Sequence, residues 1–181
     1  MSSAVGPDPS LDAAQLPALI ADLANKSDLL WVTVPDRPVQ PLWNVWHDNA
    51  VAVVTGGIEQ KDPGLADGQT VELILRSRDN WARQVVVMAT VVLLDPGSNA
   101  WAAAAAALHP KRWNPPDGEN QPERWARESA LWLLRPTAEV TEQPGAMSDD
   151  SHRAEVAETD ATTITRRPFH AGRATKKRRR R

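Results

Sequence analysis

The chain has 181 residues, 21 Lys+Arg against 23 Asp+Glu, and no cysteine, which excludes disulfides, thiolate metal sites and Cys nucleophiles. The length allows one domain with a hydrophobic core and a tail. Charge is divided unevenly: residues 1–144 hold 11 basic and 18 acidic side chains, and residues 145–181 hold 10 and 5, so an acidic body that is a poor nucleic-acid ligand carries a basic tail.

Residues 1–15 read as a flexible N-terminus without a charged leader or an apolar run. Ser10 is a candidate N-cap. Leu16, Leu19, Ile20 and Leu23 recur at helical spacing, and Pro17 sets the start of an amphipathic helix that ends by Ser27. Leu29–Val34 then reads as a strand, stopped by Pro35-Asp36-Arg37-Pro38. Val39–Trp46 reads as a second strand, with Pro41 marking it as an edge or a bulge. His47-Asp48-Asn49 turns the chain into a third strand, Ala50–Thr55. Gly56–Gly68 is a polar loop with four glycines.

Thr70–Arg76 alternates, with Val71, Leu73 and Leu75 on one face. The longest strand, Arg83–Leu94, is so apolar that it is expected at the sheet centre with both faces covered. Ser98 caps an alanine-rich helix through Leu108, Pro122 opens a short helix to Arg127, and Ser129–Arg135 closes the set. Six strands with short turns and flanking helices give a mostly β, antiparallel barrel. The domain is expected over residues 16–137. Residues 138–181 are too polar to bury a core and are expected to be disordered, ending in the basic cluster KKRRRR.

Every aromatic of the body is a tryptophan, eight in all, so any ring stacking must use them. His47 ends a strand and His109 a helix, where a lone His is usually solvated or pairs with the helix dipole. There is no G-x-S-x-G, Walker A or G-x-G-x-x-G pattern, and the loop acids are not spaced for a metal. Hydrolase, kinase and metalloenzyme readings fall away. The run VVTGGIEQK sets Thr55, Gly56, Gly57 and Lys61 together as a possible anion cradle, although on spacing alone a plain glycine turn is the commoner meaning. Trp43 and Trp46 face opposite sides of one strand, so one belongs to the core and the other to a ligand or an interface. Arg124 and Glu128 are spaced for an ion pair within a helix beside Trp125.

The order of segments, the loop GGIEQKDPGL and the closing run KRWNPPDGENQPERWARES resemble the FMN-binding split-barrel proteins related to pyridoxamine 5′-phosphate oxidase, in particular small actinobacterial members. The resemblance covers about residues 16–137. It implies a six-stranded split barrel, a homodimer with flavin at the subunit interface, and a flavin-dependent oxidoreductase acting on a small-molecule substrate. Thr55, Gly56 and Lys61 would meet the cofactor phosphate, and Trp43 and Asn44 the flavin ring. FMN is the implied cofactor, with a deazaflavin or none as alternatives.

Glu59, Asp62 and Asp67 surround Lys61, and the Arg-rich C-terminal signature of the vitamin B6 oxidases is absent from LLRPTAEV. Both features argue against that activity. They open a second reading, a non-catalytic barrel dimer with a degenerate cofactor site that serves as a binding or scaffold module. The basic tail would contact nucleic acid through phosphate electrostatics or act as a solubilising extension. The longest apolar stretches are too short for a membrane helix, so a cytoplasmic protein is expected.

Overall fold

The computed structural model describes residues 15–149. The proposed N-cap Ser10, the tail from residue 150 and its basic cluster lie outside the described residues. Helix α1, Leu16–Lys26, opens with Pro17 in its first turn, where the missing N–H costs nothing. It buries Leu16, Ile20, Leu23 and Ala24. Strands β1 (Leu29–Thr33), β2 (Gln40–Trp43), β3 (Val45–His47), β4 (Ala50–Thr55), β5 (Thr70–Arg76) and β6 (Arg83–Leu93) follow. Then come α2 (Asn99–Leu108), α3 (Gln121–Glu128) and β7 (Ala130–Glu142), with short 3₁₀ turns at His109–Lys111 and Gly118–Asn120.

All strand pairs are antiparallel, in the order β2-β1-β5-β6-β7-β4-β3. The sheet has seven strands where the sequence predicts six, because Val39–Trp46 is not one strand. It breaks at Asn44, whose N–H bonds to Asp28 O at 3.2 Å rather than to a ladder partner. Trp43 still pairs with Leu29, and Val45 already pairs with Ala52. Two successive strands therefore sit at opposite ends of the strand order, and the sheet curls into a split barrel with Asn44 at the seam. Pro41 lies in β2, paired on one side alone, as its missing donor requires. The β3–β4 hairpin turns on Asp48 (φ 50°) and Asn49 (φ 52°), the two left-handed residues of a type I′ turn.

Two apolar layers result. The barrel interior gathers Leu30, Val32, Leu42, Val51, Val53, Leu73, Val87, Val91, Trp132 and Leu134, closed at one end by α1. A second layer packs Ala50, Ala52 and Val54 of β4 with Leu131 and Leu133 of β7 against Trp101, Ala104, Ala105, Leu108 and Trp125. Alanine meets alanine there, so α2 sits close to the sheet. Ser98 caps it by accepting the Trp101 N–H at 3.1 Å. β6 is central as expected, but the strand covered along its whole length on both faces is β4, because α2 and α3 lie over β4 and β7.

β7 runs to Glu142, past the expected end at Arg135. Pro136 is accommodated opposite Ala89, where the β6–β7 register shifts. The polar stretch beyond it is held by the Thr137 and Thr141 hydroxyls, which donate to the Met88 and Val86 carbonyls. Arg83 pairs with Glu142 at 2.7 Å. No helix among the described residues is long and apolar enough to cross a membrane.

Candidate functional site

The glycine loop after β4 begins with two left-handed residues, Gly56 (φ 86°) and Gly57 (φ 57°), which fold it back onto the barrel. Gly56 N–H bonds to Gln60 O at 3.0 Å. The Gln60 side chain imitates a strand: its Oε1 accepts the Trp43 N–H at 2.9 Å and its Nε2 donates to Trp43 O at 3.0 Å. β2 thus gains a partner at its free edge.

Glu59 points the other way, into a cluster of arginines. Its side chain is fully covered, and it accepts from Arg112 Nε at 2.7 Å and Arg124 Nη2 at 2.9 Å. Arg124 also grips Asp117 at 2.7 Å. The helical pair expected between Arg124 and Glu128 is therefore not the one formed; the loop carboxylate and Asp117 take the guanidinium instead. Burial alone would push the Glu59 carboxyl up. The favourable influence of the Trp125 indole N–H and the hydrogen bonds from Arg112 and Arg124 outweigh it and hold Glu59 below its ordinary range. Arg124, bonded first to Asp117 and then to Glu59, is held above its usual value.

Thr55 is buried, and its Oγ1 is already engaged. It accepts the Trp132 indole N–H at 3.0 Å and donates to Asp62 at 3.3 Å. The other Asp62 oxygen takes the N–H groups of Gly64 and Leu65 at 2.7 and 2.9 Å. A carboxylate of the chain itself thus sits among the donors that a phosphate would need at Thr55. Lys61 is exposed, and its carbonyl accepts from Gln40. Asp67 is used structurally, accepting the Leu93 N–H.

Trp43 and Asn44 lie elsewhere, in a cleft of about 430 Å³ lined also by Asp28, Pro110, Lys111, Arg112 and Trp113. Asn44 is 4% exposed. Its Nδ2 donates to Ser27 O at 3.4 Å, which fixes the amide orientation, and its Oδ1 has no hydrogen-bond partner among the described residues. Such an acceptor is costly unless something donates to it. Trp113 is 83% exposed, and Lys111 makes no ion pair among the described residues. Two indoles, one lysine without an ion pair among the described residues and one unmatched acceptor, beside the carboxylate of Asp28, can take a flat, anionic ring compound that offers an N–H.

The five residues singled out from sequence therefore fall in two places, Thr55, Gly56 and Lys61 on the loop and Trp43 and Asn44 in the cleft. Gln60 joins the loop to Trp43. Asp28, Lys111, Arg112 and Trp113 were not foreseen as site residues; the one signal for them was two cations beside a tryptophan just after a helix stop. No group of three or more potential metal ligands occurs among the described residues.

No protein-family model matches the chain, and no curated protein matches it. Solved structures do. The heme storage protein HutZ from Vibrio cholerae aligns at a TM-score of 0.50 with 14% identity, over 66% of this chain and 89% of that one. The conserved hypothetical protein Rv2991 from Mycobacterium tuberculosis aligns at 0.50 with 16% identity, over 74% and 86%. An FAD-binding protein from Mycobacterium smegmatis aligns at 0.44 with 17% identity, over 66% and 89%. The two alignments at a TM-score of 0.50 show a shared fold, the antiparallel split barrel described above.

Proposed function

We propose that this chain is a flavin-binding, oxidoreductase-like split-barrel protein that holds the ring of FMN in the Trp43–Trp113 cleft. The observation that carries this reading is Asn44, whose buried Oδ1 has no donor among the described residues and which lines a cleft together with Trp43 and Trp113. An isoalloxazine ring has the flat face that indole stacks on and an imide N–H that an amide oxygen accepts. Lys111, which has no ion pair among the described residues, supplies the positive charge for the phosphate in place of the self-satisfied donors around Thr55, while Arg112 beside it is already paired with Glu59. The cleft volume lies within the roughly 300–1,000 Å³ of small-molecule sites. The flavin would contribute the electron transfer, and the protein its binding and orientation. The substrate class is not assigned. In the same reading the protein is a homodimer, in which the exposed Trp113 is covered.

A second reading is favoured by Asp62. With its carboxylate on the Thr55 hydroxyl, the loop excludes an anion, as in a degenerate site on a non-catalytic scaffold. One titration separates the two. Full-length protein receiving FMN should show saturable quenching of tryptophan emission and a shifted flavin absorption. Asn44→Ala and Trp43→Leu should each weaken binding by about tenfold or more, and Thr55→Val by less than about twofold. Absence of saturable binding up to about 1 mM would leave the scaffold reading standing. Thr55→Val weakening FMN as much as Asn44→Ala would return the phosphate to the glycine loop.

A further inference from the structure

The β5–β6 hairpin carries a residue in a conformation that its type rarely adopts. Ser77–Ala82 closes with Ser77 N–H on Ala82 O at 2.8 Å and Trp81 N–H on Ser77 O at 3.1 Å. Trp81, two residues before the return strand, has φ 62°, a conformation that loops normally give to glycine or asparagine. The indole gains little burial there, since Trp81 is 65% exposed. Arg76 lies over its ring, 3.9 Å from the centroid. A strained, solvent-facing tryptophan with a cation on one face is better suited to recognition than to packing.

Its surroundings carry three basic side chains against one carboxylate. Trp81, Arg76, Arg78, Lys26, Ser27, Asp28 and Leu29 line a hollow of about 240 Å³. Lys26 is paired with Asp22, while Arg76 and Arg78 make no ion pair among the described residues. Asp28 is the one carboxylate in the lining, and it also borders the Trp43–Trp113 cleft. Asp28 thus lines both hollows.

We infer that Arg76, Arg78 and Trp81 form a nucleotide subsite, in which the arginines bind a phosphate or diphosphate and the indole stacks on the base. This follows from two guanidiniums without carboxylate partners next to an exposed ring held ready at the cost of backbone strain. The subsite stands independently of flavin binding.

ADP is the probe, titrated into full-length protein without flavin and followed by tryptophan emission and calorimetry. Saturable binding is expected that weakens with added salt. Arg78→Ala should weaken it about tenfold or more, Trp81→Phe only slightly, and Lys111→Ala not at all. Trp81→Gly separates recognition from structure, because it removes the ring and relaxes the backbone. It should abolish ADP binding while raising or preserving the melting temperature. No saturable ADP binding at about 1 mM would overturn the inference, as would binding that Lys111→Ala removes and Arg78→Ala spares. A lowered melting temperature in Trp81→Gly with ADP affinity retained would show Trp81 to be structural, and would equally overturn it. Failure of FMN binding alone leaves these outcomes unchanged.

Discussion

Glu59 is held between two guanidiniums, with its side chain fully covered, and so behaves differently from the phosphate-repelling acid that its place in the sequence brings to mind. Its charge is spent on Arg112 and Arg124. Replacing one member of such a buried set leaves the others without a counter-charge, which costs roughly 3–5 kcal/mol in a fully enclosed pair. Arg112 keeps about a quarter of its side chain in solvent, so Glu59→Gln should cost less, about 2–3 kcal/mol. Denaturant unfolding measures this directly, and a change within experimental error would mean that the arginines do not depend on Glu59.

The same carboxyl predicts a pH response. In the folded protein it ionises below its ordinary value of 4.5, so between the two values the unfolded chain binds more protons. Its contribution is complete above about pH 4.5 and is lost as the pH falls through the folded-state value. Glu59→Gln should therefore flatten the acid limb of the stability curve. Neither Glu59's partners nor Thr55's engagement with Trp132 was legible beforehand, since both bonds join residues more than 50 positions apart. Sequence spacing reports local neighbours such as Arg124 and Glu128, and the longer-range partners won.

At the scale of elements, the run from Gly56 to Gly68 is a structural device in which Glu59, Gln60, Asp62 and Asp67 each have a task. Gln60 extends β2, Glu59 clamps the α2–α3 connection, and Asp62 and Asp67 accept backbone N–H groups. Its glycines differ in what they tolerate. A Cβ on Gly57 would lie 3.1 Å from Glu128 O and 3.2 Å from Ser129 Oγ, at the end of α3, whereas a Cβ on Gly68 would meet nothing within 4 Å. Both have positive φ, so alanine costs about 1–2 kcal/mol at either place. At Gly57 the contact with α3 should add about 1 kcal/mol or more. Thermal unfolding should therefore rank Gly57→Ala below Gly68→Ala, and equal melting temperatures would mean that the loop and α3 move apart freely. The turns and helices were the readable part of the sequence: Pro17, Ser98, Pro122 and the Asp48-Asn49 turn each act through the backbone next to them.

At the scale of the whole molecule, the least readable feature is the seam. Leu42, Trp43, Val45 and Trp46 have the composition of one continuous strand, and nothing in their propensities marks Asn44 as the residue where the chain leaves β1 for β4. The break is set by partners far along the chain, Leu29 on one side and Ala52 on the other. The cleft inherits that uncertainty, because it forms where β2 ends and the His109–Trp113 segment comes over it.

The seam also fixes how the barrel should open. β2 has four residues and β3 three, and each is laddered on one side only, whereas β5, β6, β7 and β4 are laddered on both. Strands with few bonds and one partner open at the smallest free-energy cost, and doubly paired strands exchange only near the limit of global unfolding. Amide exchange should thus be fastest, among the strands, in Gln40–His47 and slowest at Val87, Val91 and Leu133. The exception is Trp43, whose N–H is held by Gln60 across the seam. It should be protected beyond its β2 neighbours, and Gln60→Ala should remove that protection without changing exchange at Val87. If Trp43 exchanged as fast as Leu42 in the unmutated protein, the Gln60 side chain would not be closing the barrel.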